Sequence, residues 1–185
     1  IFWDGTTCGP MTFRNSHMGD GSHTRTGYSM RKYINSDNYG IEDYDWTNFI
    51  YIRYAEVLLT YAEARNENLS APDQAVYDAV NKVRQRPSVD LPALPENLSK
   101  DKMRDAIRLE RRLELAFEGI HLFDTRSYKT TEQDVKKPVY GITKDGKKKL
   151  IETRNFNPKR DYLWAIPLRE IDLSQNVLVQ NPEWD

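Results

Sequence analysis

The sequence has one cysteine, three histidines, no long apolar run and almost no net charge, and each shortage removes a class of function. Cys8 cannot close an internal disulfide, and its neighbours Thr7, Gly9 and Pro10 supply neither a base nor a second thiol, so it reads as an inert loop thiol. No stretch approaches the roughly 20 apolar residues that span a bilayer, and no basic segment leads into an apolar one as in a signal peptide. A lipid-anchor cysteine would follow such a segment, which Cys8 does not. The 27 Lys and Arg against 28 Asp and Glu leave a net charge of -1, which gives no broad basic field for nucleic acid. Neither a G-x-S-x-G elbow, a phosphate loop nor a Cys–His pairing occurs, so nucleophilic catalysis has no motif here. His17 and His23 stand without a carboxylate cluster, and Glu118-Gly119-Ile120-His121 is a single Glu-x-x-His interrupted by a helix-breaking glycine. Carboxylate-bridged metal sites need two such motifs and further glutamates, so no metal and no cofactor is expected.

What is present divides the 185 residues into three regions. Residues 1–48 are rich in Gly, Asn, Asp, Ser and Thr with aromatics between them, and read as ordered loop with a strand over residues 26–33. The opening Ile1-Phe2-Trp3-Asp4-Gly5 resembles the end of a strand running into a turn, as in a piece cut from a longer chain. Residues 49–128 form a helical core. Its first helix, over residues 49–66, has a stripe of Ala55, Leu58, Leu59 and Ala62 and a second apolar face of Tyr54, Val57 and Tyr61, both expected to be buried. Ser70 heads a capping-box spacing for the second helix, whose stripe is Val76, Ala79, Val80 and Val83. Ser99 caps the third, which runs to residue 117 or 118 with Met103, Ala106, Leu109, Leu113, Ala116 and Phe117 as its stripe; Gly119 ends it, and a short fourth helix covers residues 120–128. In residues 129–185 an Asp145-Gly146 pair between two short apolar runs predicts an exposed, basic β-hairpin. The tail carries Leu163, Trp164, Ile166, Ile171, Leu173, Leu178 and Trp184 in segments expected to be extended and to wrap back onto the helices. The fold class is therefore mainly α, with helix pairs resembling tetratricopeptide stacking, long irregular loops and a small β-hairpin.

Two groups of residues invite a chemical reading. Glu110, Glu114 and Glu118 stand at i, i+4 and i+8, a self-repelling ladder unless cations answer it. Two such carboxylates can serve a glycosidase, but arginines crowd the same helix and no strand-end or glycine-rich frame opens a cleft beside it. A structural ion network is the better account, with Arg53, Arg111 and Arg126 as its cations beside the three glutamates, and Arg65 and Arg84 as further partners. No catalytic residue is assigned. The second group is the aromatic loop region, where flat rings interleave with Asn, Asp and Arg as sugar binding requires; Trp3, Tyr28, Arg31 and Trp46 are the candidate ligand contacts.

Four segments, in order, resemble the RagB/SusD-like family of nutrient-binding outer-membrane lipoproteins. The first is Arg53-Tyr54-Ala55-Glu56 within residues 51–64, and the second Asn81-Lys82-Val83-Arg84-Gln85-Arg86. The third runs from Glu110 through Gly119 to Phe123-Asp124-Thr125-Arg126, and the fourth is Trp164-Ala165-Ile166-Pro167-Leu168 with Gln180-Asn181-Pro182-Glu183-Trp184. Ile120 and His121 follow Gly119 where the family has histidine then arginine, Ser127-Tyr128 replaces arginine-tryptophan, and Ala165 and Glu183 replace a proline and a glycine. The resemblance implies the C-terminal part of a tetratricopeptide-like protein, lipid-anchored on the outer face of the outer membrane through an anchor outside this sequence. It further implies capture of oligosaccharides, or in some members peptides, for a SusC-like TonB-dependent transporter, without hydrolysis. The helix pairs alone would equally allow a protein-interaction scaffold.

Overall fold

The computed structural model describes residues 25–28, 30, 32–33, 48–87, 89–143, 146–175 and 177–184. These fall into two compact units, one of residues 48–121 and one of residues 122–185 with the first 47. The chain is mainly helical: α1 (Tyr54–Asn68), α2 (Gln74–Arg84), α3 (Lys100–Glu114), α4 (His121–Ser127), α5 (Thr131–Val135), β1 (Val139–Ile142), β2 (Lys148–Glu152) and α6 (Leu168–Leu173).

In the first unit α1 packs against both α2 and α3. The stripe of α2 is as expected: Val76, Ala79, Val80 and Val83 are buried and meet Leu59 and Ala62 of α1 and Met103 and Ile107 of α3. The linker after α2 is fastened by side chains: Asn81 Oδ1 accepts from the Leu94 N–H at 2.9 Å, and Tyr77 Oη from the Leu98 N–H at 2.8 Å. Leu94 and Leu98 thereby pack against the core.

Four expectations are corrected here. The cap of α2 is Asp73, whose carboxylate accepts from the Val76 N–H, because the chain stays extended through Asp73; Ser70 lies outside the helix. Ser99 does cap α3, accepting from the Lys102 N–H, but the helix stops at Glu114, and Phe117 and Gly119 take left-handed φ of 66° and 80°. The buried face of α3 is Met103, Ile107, Glu110 and Arg111, whereas Leu109, Leu113 and Phe117 are exposed. On α1 the second apolar face is exposed at Tyr54, Val57 and Tyr61. A helix meets its neighbours over one arc, and on α3 the covered arc joins Met103 and Ile107 to Glu110 and Arg111.

In the second unit β1 and β2 form the expected antiparallel hairpin, Ile142 opposite Lys148 and Tyr140 opposite Leu150, with a bulge beside Val139. Thr26 lies alongside β1: its carbonyl accepts from the Ile142 N–H at 2.8 Å. A Cβ on Gly141 would stand 2.6 Å from that carbonyl oxygen, so this close approach requires glycine. Residues 26–33 were expected as a strand; the described ones are turn, bend or coil, Gly27 having a φ of 75° that breaks an extended run.

The tail departs further. Residues 168–173 are the helix α6 where extended chain was expected, α5 was not anticipated, and Leu163, Trp164, Leu168, Leu173 and Leu178 are exposed. Amide side chains hold it instead. Gln180 accepts from the Ile166 N–H and donates to the Ile166 carbonyl, both at 2.8 Å, while Asn181 and Trp184 donate to the Trp164 and Leu163 carbonyls. Arg126 and Arg160 lie over the Trp164 and Trp184 rings at 4.6 and 4.7 Å.

The exposed and buried stripes are separable by mutation. Leu59→Ala, at a fully buried position, is expected to cost about 3 kcal/mol in urea unfolding. Leu113→Ala, at an exposed one, is expected to cost under about 1 kcal/mol.

Candidate functional site

The densest chemistry among the described residues surrounds α3. Its N-terminus lies beside the C-terminus of α1, where Asn66 and Lys100 tie the two ends: Asn66 Nδ2 donates to the Lys100 carbonyl and Lys100 Nζ to the Glu67 carbonyl. From there the antiparallel pair carries a ladder. Arg104 pairs with Glu67, Arg108 with Glu63, and Arg111 donates to Thr60 Oγ1 at 2.9 Å and reaches Glu56 at 3.9 Å. The glutamates of α3 point the other way. Glu110 takes Arg84 of α2 at 2.5 Å, and Glu114 takes Arg86 at 2.6 Å.

Arg53, the residue before α1, closes this arrangement. Its Nε and Nη2 grip both oxygens of Glu118 at 2.8 Å, Nη1 donates to Glu114 Oε1 at 2.5 Å, and Nη2 donates to the Glu114 carbonyl at 2.6 Å. The bidentate bond suits the planar guanidinium fork, and the carbonyl it binds is one of those a helix C-terminus leaves without partner. Two carboxylates at that negative helix end are unfavourable by themselves; a cation there offsets both them and the dipole. The Glu114 and Glu118 side chains are only 9% and 7% exposed. Burial pushes the Glu114 carboxyl upward, but the hydrogen bonds and charges of Arg86 and Arg53 outweigh this and hold it below its ordinary range. The same bonds outweigh the desolvation of Arg53 and raise its pKa, so it is charged throughout.

Of the residues expected to form one ion network, the structure brings Arg53, Glu114 and Glu118 together and pairs Glu110 with Arg84. Glu118 is not on the helix with the other two glutamates; the left-handed turn at Phe117 and Gly119 returns its carboxylate to Arg53. That φ at a phenylalanine costs on the order of 1 kcal/mol or more. Arg111 reaches Thr60 and Glu56 of α1, and Arg65 pairs with Asp73. Arg126 belongs to the second unit, where Nη2 donates to the Asp161 carbonyl while its buried Nε and Nη1 have no hydrogen-bond partner among the described residues. Sequence reasoning missed Arg86 and the Glu56, Glu63, Glu67 row. The signal for the latter was there, since Glu67, Glu63 and Thr60, read backwards along α1, step as Arg104, Arg108 and Arg111 do along α3, with Glu56 one turn further on the same face.

Of the ligand candidates, Trp3, Arg31 and Trp46 lie outside the described residues. Tyr28 is 40% exposed, in the coil after Gly27. A cavity of about 600 Å³ opens between the start of α1 and the end of α2, with Ala55, Leu58, Val83 and Pro87 among its walls. Lys82 and Tyr54 line it and bind each other, Nζ to Oη at 3.2 Å. Its lining holds no carboxylate. Among the described residues no group of three His, Cys, Asp or Glu is placed to hold a metal, and no helix is long and apolar enough to cross a membrane.

The family model described as the SusD family matches residues 14–184. The chain belongs to the SusD family. SusD-like protein P2 of Formosa agariphila is 35% identical over 141 residues, 74% of this chain and 26% of that protein. SusD-like protein P38 of the same organism is 40% identical over 108 residues, 55% of this chain and 21% of that one. Among solved structures, a SusD-like protein from Bacteroides fragilis aligns with a TM-score of 0.74 at 35% identity, covering 88% of this chain and 32% of that one. A SusD homolog from Bacteroides thetaiotaomicron gives 0.58 at 29%, with 88% and 31% covered. The chain therefore spans about a quarter of the length of the curated SusD-like relatives it matches. The fold is that of this family's helical, tetratricopeptide-like proteins.

Replacing Glu114 by Ala removes the carboxylate that Arg86 and Arg53 share at a nearly buried point, and is expected to cost about 3 kcal/mol. Asp101→Ala, which removes an 84% exposed partner of Arg104, is expected to stay within about 0.5 kcal/mol. Both are read by denaturant unfolding. The lowered carboxyl of Glu114 also fixes a pH dependence: its stabilisation is complete above the ordinary value of 4.5 and is lost as pH falls through the lower folded value. A thermal melt series from pH 6 downward is expected to fall less steeply below about 4.5 for Glu114→Gln than for the parent.

Proposed function

We propose that this chain is part of an outer-membrane lipoprotein that captures oligosaccharide outside the cell and passes it, uncleaved, to a SusC-like TonB-dependent transporter. The observation that carries the reading is the family match over residues 14–184. Members of such a family are nutrient-uptake binding proteins, and binding is also what the chemistry favours. Glu110, Glu114 and Glu118, the carboxylates that would have to act as acid and base, are each held by arginine. Glu114 in addition, held below its ordinary range by Arg86 and Arg53, is a poor proton donor at neutral pH.

Ligand contact is assigned to the aromatic loops ahead of α1. Tyr28, Trp3 and Trp46 supply flat faces for the C–H surface of a sugar ring, and Arg31 a fork for its hydroxyls or acid groups. The lipid anchor and the transporter-facing surface are assigned to the whole protein, of which the relatives are about four times longer than the matched part.

Calorimetric titration of the full-length protein with a panel of oligosaccharides tests this. Binding is expected for at least one glycan, with no reducing ends released over hours of incubation. Trp46→Ala and Tyr28→Ala are each expected to weaken binding about 5- to 150-fold, the worth of one stacked ring at roughly 1–3 kcal/mol. Steady release of reducing ends, or binding of peptides and no glycan, would overturn the reading.

A further inference from the structure

The β1–β2 hairpin carries the strongest charge asymmetry in the chain. Residues 136–154 hold seven basic residues, Lys136, Lys137, Lys144, Lys147, Lys148, Lys149 and Arg154, against Asp145 and Glu152. Lys136 and Lys137 are answered by Glu132 and Asp134 at 2.5 and 2.6 Å. Lys147, Lys148 and Lys149 are exposed and have no ion-pair partner among the described residues.

These three lysines are held in place by the backbone. The Thr143 N–H donates to the Lys147 carbonyl at 2.9 Å, and Thr143 Oγ1 accepts from the Lys147 N–H at 3.1 Å, which closes the hairpin end just before β2. Lys147 lies just ahead of β2, within which Lys149 projects to one face and Lys148 to the other. There Lys148 Nζ sits 3.9 Å from the centre of the Tyr140 ring, and both Tyr140 and its cross-strand neighbour Leu150 are about half exposed. The hairpin thus offers ammonium groups on both faces and, on one, a tyrosine and a leucine beside the cation.

We propose that this hairpin is a binding edge for an anionic polysaccharide, one bearing sulfate or uronate groups, and that it selects charged over neutral glycans. The proposal rests on the glycan-capture reading and adds the class of substrate. A polyanionic saccharide needs a row of cations along its length and an apolar contact for its ring faces, and the hairpin supplies both. A net charge of -1 gives no broad basic field for nucleic acid, and the glycan-capture reading favours a saccharide over a lipid surface. Lysines on a sheet edge also discourage strand addition, a role that makes no difference to polyanion affinity.

The test uses full-length protein with the triple change Lys147→Gln, Lys148→Gln and Lys149→Gln, and separately Tyr140→Ala. The probes are dextran sulfate, polygalacturonate, neutral dextran and vesicles containing anionic phospholipid, with melting temperature as the folding control. The parent is expected to bind at least one of the two polyanions, more weakly as salt rises. The triple variant is expected to lose that binding at least 10-fold and Tyr140→Ala several-fold, with melting temperature and any neutral-glycan binding unchanged. Unchanged polyanion affinity in the triple variant, or binding of neutral glycans alone, overturns this inference and leaves glycan capture standing. Lysine-dependent binding of vesicles but of neither polyanion overturns it in favour of a membrane contact. Absence of binding to any glycan removes both readings.

Discussion

One guanidinium sets the geometry of the helical unit. Arg53 stands where the loop region enters α1, and it binds two glutamates and the last helical carbonyl of α3 at once. Everything near it follows from satisfying that group. The helix α3 must end at Glu114 so that its carbonyl is open, and the chain must turn left-handed at Phe117 to bring Glu118 back. Glu114, shared with Arg86, then fixes the end of α2 against the same point. A lone charge here would be costly, whereas a fully bonded cluster is rigid and specific, because each member has only one arrangement in which all are partnered.

The remainder of α3 extends the same logic along its length. It gives arginines to α1 and glutamates to α2, so opposite charges meet on each side and the helix has one register relative to both. The apolar core of Leu59, Val76, Val80, Met103 and Ile107 supplies the burial, and the ions supply the alignment. In this division of labour Glu110, Glu114 and Glu118 are each engaged by arginine.

The parts of this that could be read from the sequence are those decided locally. The stripe Val76, Ala79, Val80, Val83 has one period and one face, Ser99 caps where a cap is needed, and the hairpin follows from an Asp-Gly pair between two apolar runs. What could not be read was decided by neighbours. Leu109 and Leu113 have the same period as Met103 and Ile107, but which arc of α3 is covered depends on where α1 and α2 lie. Glu118 matches the helical spacing of Glu110 and Glu114, yet a residue outside the pattern, Arg53, pulls it off the helix. The tail misled for a similar reason: its leucines and tryptophans announce an apolar face, but the bonds that shape it come from Gln180 and Asn181. Apolar residues say that a face is suited to cover, not what covers it. For the ligand site, Tyr28 alone of the four candidates is among the described residues, and aromatic chemistry rather than geometry supports the others.

The central claim is that Arg53, Glu114 and Glu118 act as one structural unit, and a double-mutant cycle measures that directly. Stability would be determined by denaturant unfolding for the parent, Arg53→Met, Glu118→Gln and the double variant. Groups in one buried network couple by roughly 0.5–3 kcal/mol, and the bidentate bond at 2.8 Å places this pair toward the upper end. The expected result is a coupling of about 2 kcal/mol, with the double variant less destabilised than the sum of the single ones. Additive losses, with coupling near zero, would contradict the account.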